Sequence, residues 1–506
     1  MMDMMRIIYR NIVRAAATAA AVLSLNSCLE KNPGDYILIG DGMASVSDAE
    51  QTVNGIYKAM MSGALYSGYL TVCQDIQADL VYAVQGNSNT YGNIWQWDIL
   101  STNSEVESVY AGLYTVIGRC NFFLDQVEDL KASLVDDDLI EELDAYTGEV
   151  YCARALAYSE LVKCFCKAYD PATADKELGI VLRTSYFRKE PVRRASLAES
   201  FAFIISDLEK ADALLDSEYD VSNTTYFTNA AVHAIWARVC LNMQDWDGAV
   251  EHSTKVIGSG TFKLASAKSY YTSDQTYLDY LWTNDASYEI IFKIGYTSTS
   301  YGSATGSVFL GFTRDYTYYY PDYVPALWAL NLYPSGDMRY QAYFEELQTG
   351  YSHRLSWPLL VKYYGNEGLL AQNVFHVCMP KPLRLAEQYL IRAEAYCRRG
   401  EYPKAGADLS TLRESRFSTG GTIGVNSDNW LDTVSDERVR ELFMEGFRLN
   451  DLKRWHRGFT RTPQSSSQAE GSSLKVNADD PLFVWPIPRN EIEAPGSEIL
   501  PNESNR

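Results

Sequence analysis

The chain has 506 residues, with 65 acidic side chains against 44 basic ones and a net charge of −21 at neutral pH. Such a balance carries no basic patch to neutralise phosphates, so it argues against nucleic acid as a partner and leaves a chain that repels anions at long range. Aromatic residues make up 13% of the chain, including 37 tyrosines and 10 tryptophans, whose flat faces and polar handles suit wet ligand surfaces as well as cores.

Arg6, Arg10 and Arg14 precede an apolar stretch from Ala15 to Leu25, and Leu25-Asn26-Ser27-Cys28 follows. A basic segment, a short apolar one and small residues before a cleavage point predict a secretory signal over residues 1–27, too short to span a bilayer. The cysteine at that point resembles the bacterial lipoprotein pattern, in which Cys28 becomes the lipidated first residue. No later run approaches twenty apolar residues, so the expected attachment to a membrane is through lipid alone. The other eight cysteines include Cys152, Cys240 and Cys397 in helical apolar patterns, where a free thiol behaves as a small hydrophobe. Cys164-Phe165-Cys166 is too tight for zinc, so buried thiols are expected rather than a metal site or disulfides.

About 480 mature residues would ordinarily make two or three domains, yet no linker divides the chain and a single domain over 28–506 is expected. Gly148 to Val162 reads as an amphipathic helix whose alanines admit a close neighbour. Ser196 to Leu215 reads as another, with Ser196 and Glu199 spaced as a capping box. Farther on, Ala237, Gln244-Asp245-Trp246 and Ala249 recur 156 residues later as Ala393, Gly400-Glu401-Tyr402 and Ala405. Helix, tight turn, aromatic and alanine in that order is the tetratricopeptide (TPR) pattern. The fold class expected is mainly α, a TPR-like helix-pair scaffold with long loop insertions and a few short strands. The insertions are placed at about 63–110 and 263–381, where helical periodicity gives way to Gly, Ser, Thr, Asn, Tyr and Trp. Glu289–Ile294 and Leu482–Trp485 are strand-like.

Near the C-terminus, Glu437 to Trp455 reads as one helix, with Arg438, Glu441, Glu445 and Arg448 forming a stripe of alternating charge. Two glutamates four residues apart suit general acid–base chemistry, but each has an arginine within one turn, so the stripe is read as scaffold. This run resembles the ERxxELxxEGxRxxDLxRW block of the SusD/RagB family. Other blocks follow the family in order: Asn54-Gly55-Ile56-Tyr57, then Tyr110, Tyr114, Ile117 and Asn121, with Tyr110 in place of the usual tryptophan. Gly148-Glu149 to Tyr158, Ser206 to Ala211, Leu383 to Tyr396 and Trp485 to Ile492 complete the series. Leu449-Asn450 departs from the usual aromatic pair, which touches packing rather than function.

The resemblance implies an outer-membrane, cell-surface lipoprotein that captures glycan for a SusC-like TonB-dependent transporter, without catalysis or cofactor. Peptide is the alternative cargo, and a TPR-type adaptor for protein partners is a more distant alternative. The matching motifs are helical, so no ligand contact transfers through them. Candidate contacts come instead from loop aromatics: Trp95 and Trp97 beside Asn87, Asn89 and Asn93, and the run Tyr316, Tyr318, Tyr319 and Tyr320. Aromatic planes pack against pyranose faces while amides and carboxylates bond the hydroxyls. A few stacks of about 1 kcal/mol each imply the modest affinity of a capture protein. The five histidines form no HExxH pair, and neither a GxSxG elbow nor a Walker loop is present.

Overall fold

The computed structural model describes residues 42–187, 191–215, 224–312, 317–353, 356–465, 468 and 472–506. The expected signal segment and Cys28 lie outside the described residues, as does Tyr316.

Nine longer helices form the frame: α1 (Val46–Met60), α2 (Ser104–Leu124), α3 (Asp137–Phe165), α4 (Leu197–Leu214), α5 (Asn229–Met243), α6 (Trp246–Gly258), α7 (Leu385–Arg398), α8 (Tyr402–Arg416) and α9 (Trp430–Glu441). Each packs on the next in chain order through α8, and α9 joins against α7. Side chains close the N-termini where the sequence places them. Ser196 and Glu199 form the reciprocal capping box of α4, and Thr228 and Asp245 cap α5 and α6. Gly148 marks the closest approach of α3 to the end of α4: a Cβ there would lie 2.8 Å from Leu215.

The repeated pattern is two helix pairs. Gln244 and Gly400, at matching positions, both turn through the left-handed region, at φ 62° and 74°. Trp246 and Tyr402 then open α6 and α8, and Ala237, Ala249, Ala393 and Ala405 are all fully buried at the helix contacts. Because α6 packs on α7, the two pairs stack although 126 residues separate α6 from α7 in the chain. The mainly α, TPR-like scaffold with loop insertions and few strands is therefore the architecture found.

Short antiparallel ladders tie the insertions to this frame. Strand β1 (Val81–Ala83) pairs with β3 (Tyr323–Pro325), β2 (Ile290–Phe292) with β6 (Leu383–Arg384), β4 (Phe344–Glu346) with β5 (Pro358–Leu360), and β7 (Phe459–Arg461) with β8 (Leu474–Val476). The strand-like run at 289–294 is thus β2, and its partner β6 leads directly into α7. Leu482–Trp485 is not a strand: Asp480 caps a 3-10 turn over Pro481–Phe483, with proline at its first position. The segment 63–110 also holds a helix, Tyr69–Gln77, that periodicity does not disclose. Its polar residues Gln74, Asp75 and Gln77 are all buried, so it has no polar face to read.

Residues 437–455 are not one helix. The backbone breaks after Glu441, passes through positive φ at Met444 and Gly446, and resumes as α10 (Arg448–Arg454). The break lets the charges reach distant partners. Glu441 accepts from Arg339 (3.1 Å), Arg384 (3.1 Å) and Arg416 (2.9 Å), while Glu445 accepts from Lys362 (2.6 Å) and Arg384 (2.7 Å). Arg438 and Arg448 bond Asp451 and Asp79, and Trp455 donates to Glu394 at 2.8 Å. The stripe is scaffold, as read from the sequence, but its counter-charges come from other elements rather than from its own turns. All eight described cysteines are buried free thiols.

Candidate ligand-binding site

Trp95 and Trp97 belong to the core. Trp95 is 1% exposed beneath the Arg461 guanidinium, and Trp97, 7% exposed, packs against Phe459 and Phe483 and donates its indole N–H to the Gln77 carbonyl at 2.7 Å. Neither ring can offer a face to a ligand while so enclosed, which corrects the sequence expectation for this pair. Of the tyrosine run, Tyr318 and Tyr319 are half-buried. The Tyr319 hydroxyl lies 3.2 Å from that of Tyr364, and its backbone bridges to Gln348 and Gly350. Tyr320 is 39% exposed, with its hydroxyl donated to the Gly350 carbonyl at 2.8 Å. Burial of the tryptophans leaves this run as the surviving sequence-derived candidate.

A better-formed site lies earlier in the same insertion. A cleft of about 630 Å³ opens between segments 263–269, 271–280 and 286–293, walled by Tyr271, Tyr277, Tyr280 and Tyr288 with Lys263 and Lys293. Its shape follows from local chemistry. Thr276 and Asp279 form a capping box that starts a short helix, Tyr277–Thr283. On this helix Tyr277 and Tyr280 are three residues apart and share a face. The preceding loop folds back, with the Tyr277 amide donating to the Ser269 carbonyl (3.0 Å) and the Tyr271 amide to the Gln275 carbonyl (2.8 Å). That fold stacks Tyr271 on Tyr280, ring centroids 3.7 Å apart, and sets Tyr277 edge-on to Tyr271 at 5.8 Å. The Tyr271 hydroxyl, followed by partial burial, raises the Tyr280 phenol above its ordinary range. Tyr271 is 49% exposed and Tyr288 60%, so the rings face solvent rather than core.

The cleft wall is anchored to the scaffold. The Lys263 amide donates to the Tyr288 carbonyl at 3.0 Å and the Ala265 amide to Glu289 at 2.7 Å. Glu289 in turn accepts from Arg384 and Arg416, the guanidinium groups that also hold Glu441. An aromatic surface fixed to a buried ion network binds without first having to order itself. These tyrosines lie within the stretch 263–381 that the sequence reading sets apart, but that reading passes over them for the denser run at 316–320. The signal available was Thr276-x-x-Asp279 with tyrosines at the first and fourth helical positions.

Fold and cleft together define a TPR-like scaffold protein carrying an aromatic-walled, ligand-sized cleft on a loop insertion. Residues 40–241 match the model of the family described as starch-binding associating with outer membrane, and residues 380–497 match that of the SusD family. The chain belongs to the SusD/RagB family. It is similar to SusD-like protein P25 of Formosa agariphila, 22% identical across 88% of this chain and 90% of that one. The fold matches a SusD superfamily protein of Bacteroides thetaiotaomicron with a TM-score of 0.77, at 23% identity over 90% of this chain and 99% of the other. A SusD-like carbohydrate binding protein of Bacteroides vulgatus matches with a TM-score of 0.71, at 19% identity over 88% and 95%.

Proposed function

We propose that this protein captures glycan at the outer-membrane surface and passes it to a SusC-like TonB-dependent transporter, held there by lipid on Cys28. The observation that carries the reading is the tyrosine cleft, whose exposed rings suit pyranose faces and whose Ser266, Ser269 and Ser287 supply hydroxyls for hydrogen bonding. Family membership and the carbohydrate-binding relative of the same fold support it. Among the described residues no helix is long and apolar enough to cross a membrane, which accords with attachment by lipid. The protein's part is binding without turnover: stacking and hydrogen bonds hold the cargo loosely enough to hand it on.

Calorimetric titration of residues 29–506, which include every described residue, against soluble glycans and peptides tests this reading. Binding to a glycan is expected, with loss of about fivefold or more in Tyr271→Ala and Tyr288→Ala, since each removes a stacking face worth about 1 kcal/mol or more. Loss only in Tyr319→Ala or Tyr320→Ala would move the site to the tyrosine run. Binding to peptides alone would replace the cargo and leave the scaffold reading intact.

A further inference from the structure

The charge of the cleft runs against that of the chain. The protein carries −21, yet among the described residues no aspartate or glutamate lines the cleft, while Lys263 and Lys293 do. Of the carboxylates nearest in sequence, Asp274 is exposed in the 271–280 loop and accepts from Thr272 at 2.8 Å, and the other three are occupied within the fold. Asp285 is buried and accepts from Lys381 (2.5 Å), Asn366 (2.8 Å) and the Met379 amide (3.0 Å). Glu289 is spent on Arg384, Arg416 and the Ala265 amide, and Asp279 on Thr276.

Lys293 is the more telling of the two cations. It is half-buried, and its ammonium donates to the Asp285 backbone carbonyl at 2.7 Å, a neutral acceptor. Among the described residues no carboxylate lies within 4.0 Å of it or of Lys263, unlike Lys362 and Lys381, which have Glu445 and Asp285. Burial, and then the neighbouring charge of Lys381, lowers its pKa against the weaker opposing pull of the Asp285 carboxylate. A partly desolvated ammonium with no carboxylate in direct contact is costly, and an anion arriving in the cleft would relieve that cost.

We propose, building on the reading of the cleft as a glycan site, that it selects acidic glycans: the tyrosines take the sugar faces while Lys293 and Lys263 take the anionic substituent. Lysine is a point charge that does not require a particular oxyanion geometry, so uronate carboxylates and sulfate esters share the needed chemistry. The chain's overall charge repels such a ligand at a distance, and recognition therefore rests on contact inside the cleft rather than on steering.

The test uses residues 29–506 and matched probes: oligogalacturonate, oligomannuronate and hyaluronan oligosaccharides, their carboxyl-reduced neutral counterparts, and a sulfated galactan oligosaccharide. At least one acidic probe should bind, weakening about tenfold or more on carboxyl reduction or desulfation, and about fivefold in Lys263→Gln and in Lys293→Gln. Tyr288→Ala should weaken the same binding about fivefold or more. Lys263 is exposed, so its variant folds even if loss of Lys293 disturbs the wall. Preference for uronates over the galactan, or the reverse, identifies the source of the charge. If neutral probes bind as well as acidic ones, and the lysine variants match the parent, the acidic selection is wrong while glycan capture stands. If no acidic probe binds, the selection is likewise overturned, and capture then depends on the neutral arm alone.

Discussion

At the scale of single residues, Glu441 shows what the charged run near the C-terminus does in this chain. Its carboxylate is fully buried and accepts from three arginines on three separate elements, Arg339, Arg384 and Arg416. Removing one member of a buried ion cluster leaves the others desolvated and unmatched, so Glu441→Gln should cost about 3–5 kcal/mol. Chemical denaturation read by circular dichroism checks this; a cost below 1 kcal/mol would mean that the arginines find other acceptors. The same cluster sets the response to acid. Burial alone would push the Glu437 carboxyl up, but Arg339, Arg440 and Arg413 outweigh it and hold its pKa at about 2. A folded-state value below the unfolded one contributes stability that is complete above about pH 4.5 and is lost as pH falls toward 2, about 3 kcal/mol in all. Stability measured from pH 6 to pH 2 should therefore fall across this window, and Glu437→Gln should be less stable at pH 6 with a shallower acid slope.

At the scale of elements, the helix pairs could be read from the chain because their determinants are local. An alanine at each contact, a left-handed turn residue and an aromatic at the next helix start recur 156 residues apart, and the structure uses them alike. The break between α9 and α10 is set from afar. The Gly446 amide donates to Asp75 at 2.9 Å and the Arg448 amide to the same side chain at 2.8 Å, across more than 370 residues of sequence. Periodicity alone continues a helix through such a point, since a single glycine within an apolar-periodic window is tolerated. Trp95 and Trp97 pose the same problem for the site: only the approach of Arg461, Phe459 and Phe483 decides that they are core. The glycine is the vulnerable point of the break. Gly446 sits at φ 84°, and a Cβ there would meet the backbone oxygens of Thr71 at 2.9 Å and Leu70 at 3.1 Å. These belong to the Tyr69–Gln77 helix and cannot rotate away. Gly446→Ala should destabilise by about 2–4 kcal/mol from left-handed strain plus that contact, measured by thermal unfolding; an unchanged midpoint would show that the two helices separate freely.

At the scale of the whole molecule, the proposed function places an acidic chain at a membrane surface that its charge does not favour. With −21 overall, the protein has no polybasic segment to add an electrostatic signal, and no described helix could insert. The proposed attachment is the lipid expected at Cys28. Cys28→Ser should release the protein from washed membranes into the soluble fraction while leaving glycan titration unchanged, because the described residues that line the cleft lie at 224–293. The two readouts separate the causes. Release with intact binding assigns the residue to anchoring alone. Retention in membranes of cells that lack the partner transporter would place the attachment elsewhere, whereas retention only when the transporter is present would show that the protein–protein contact suffices to hold it.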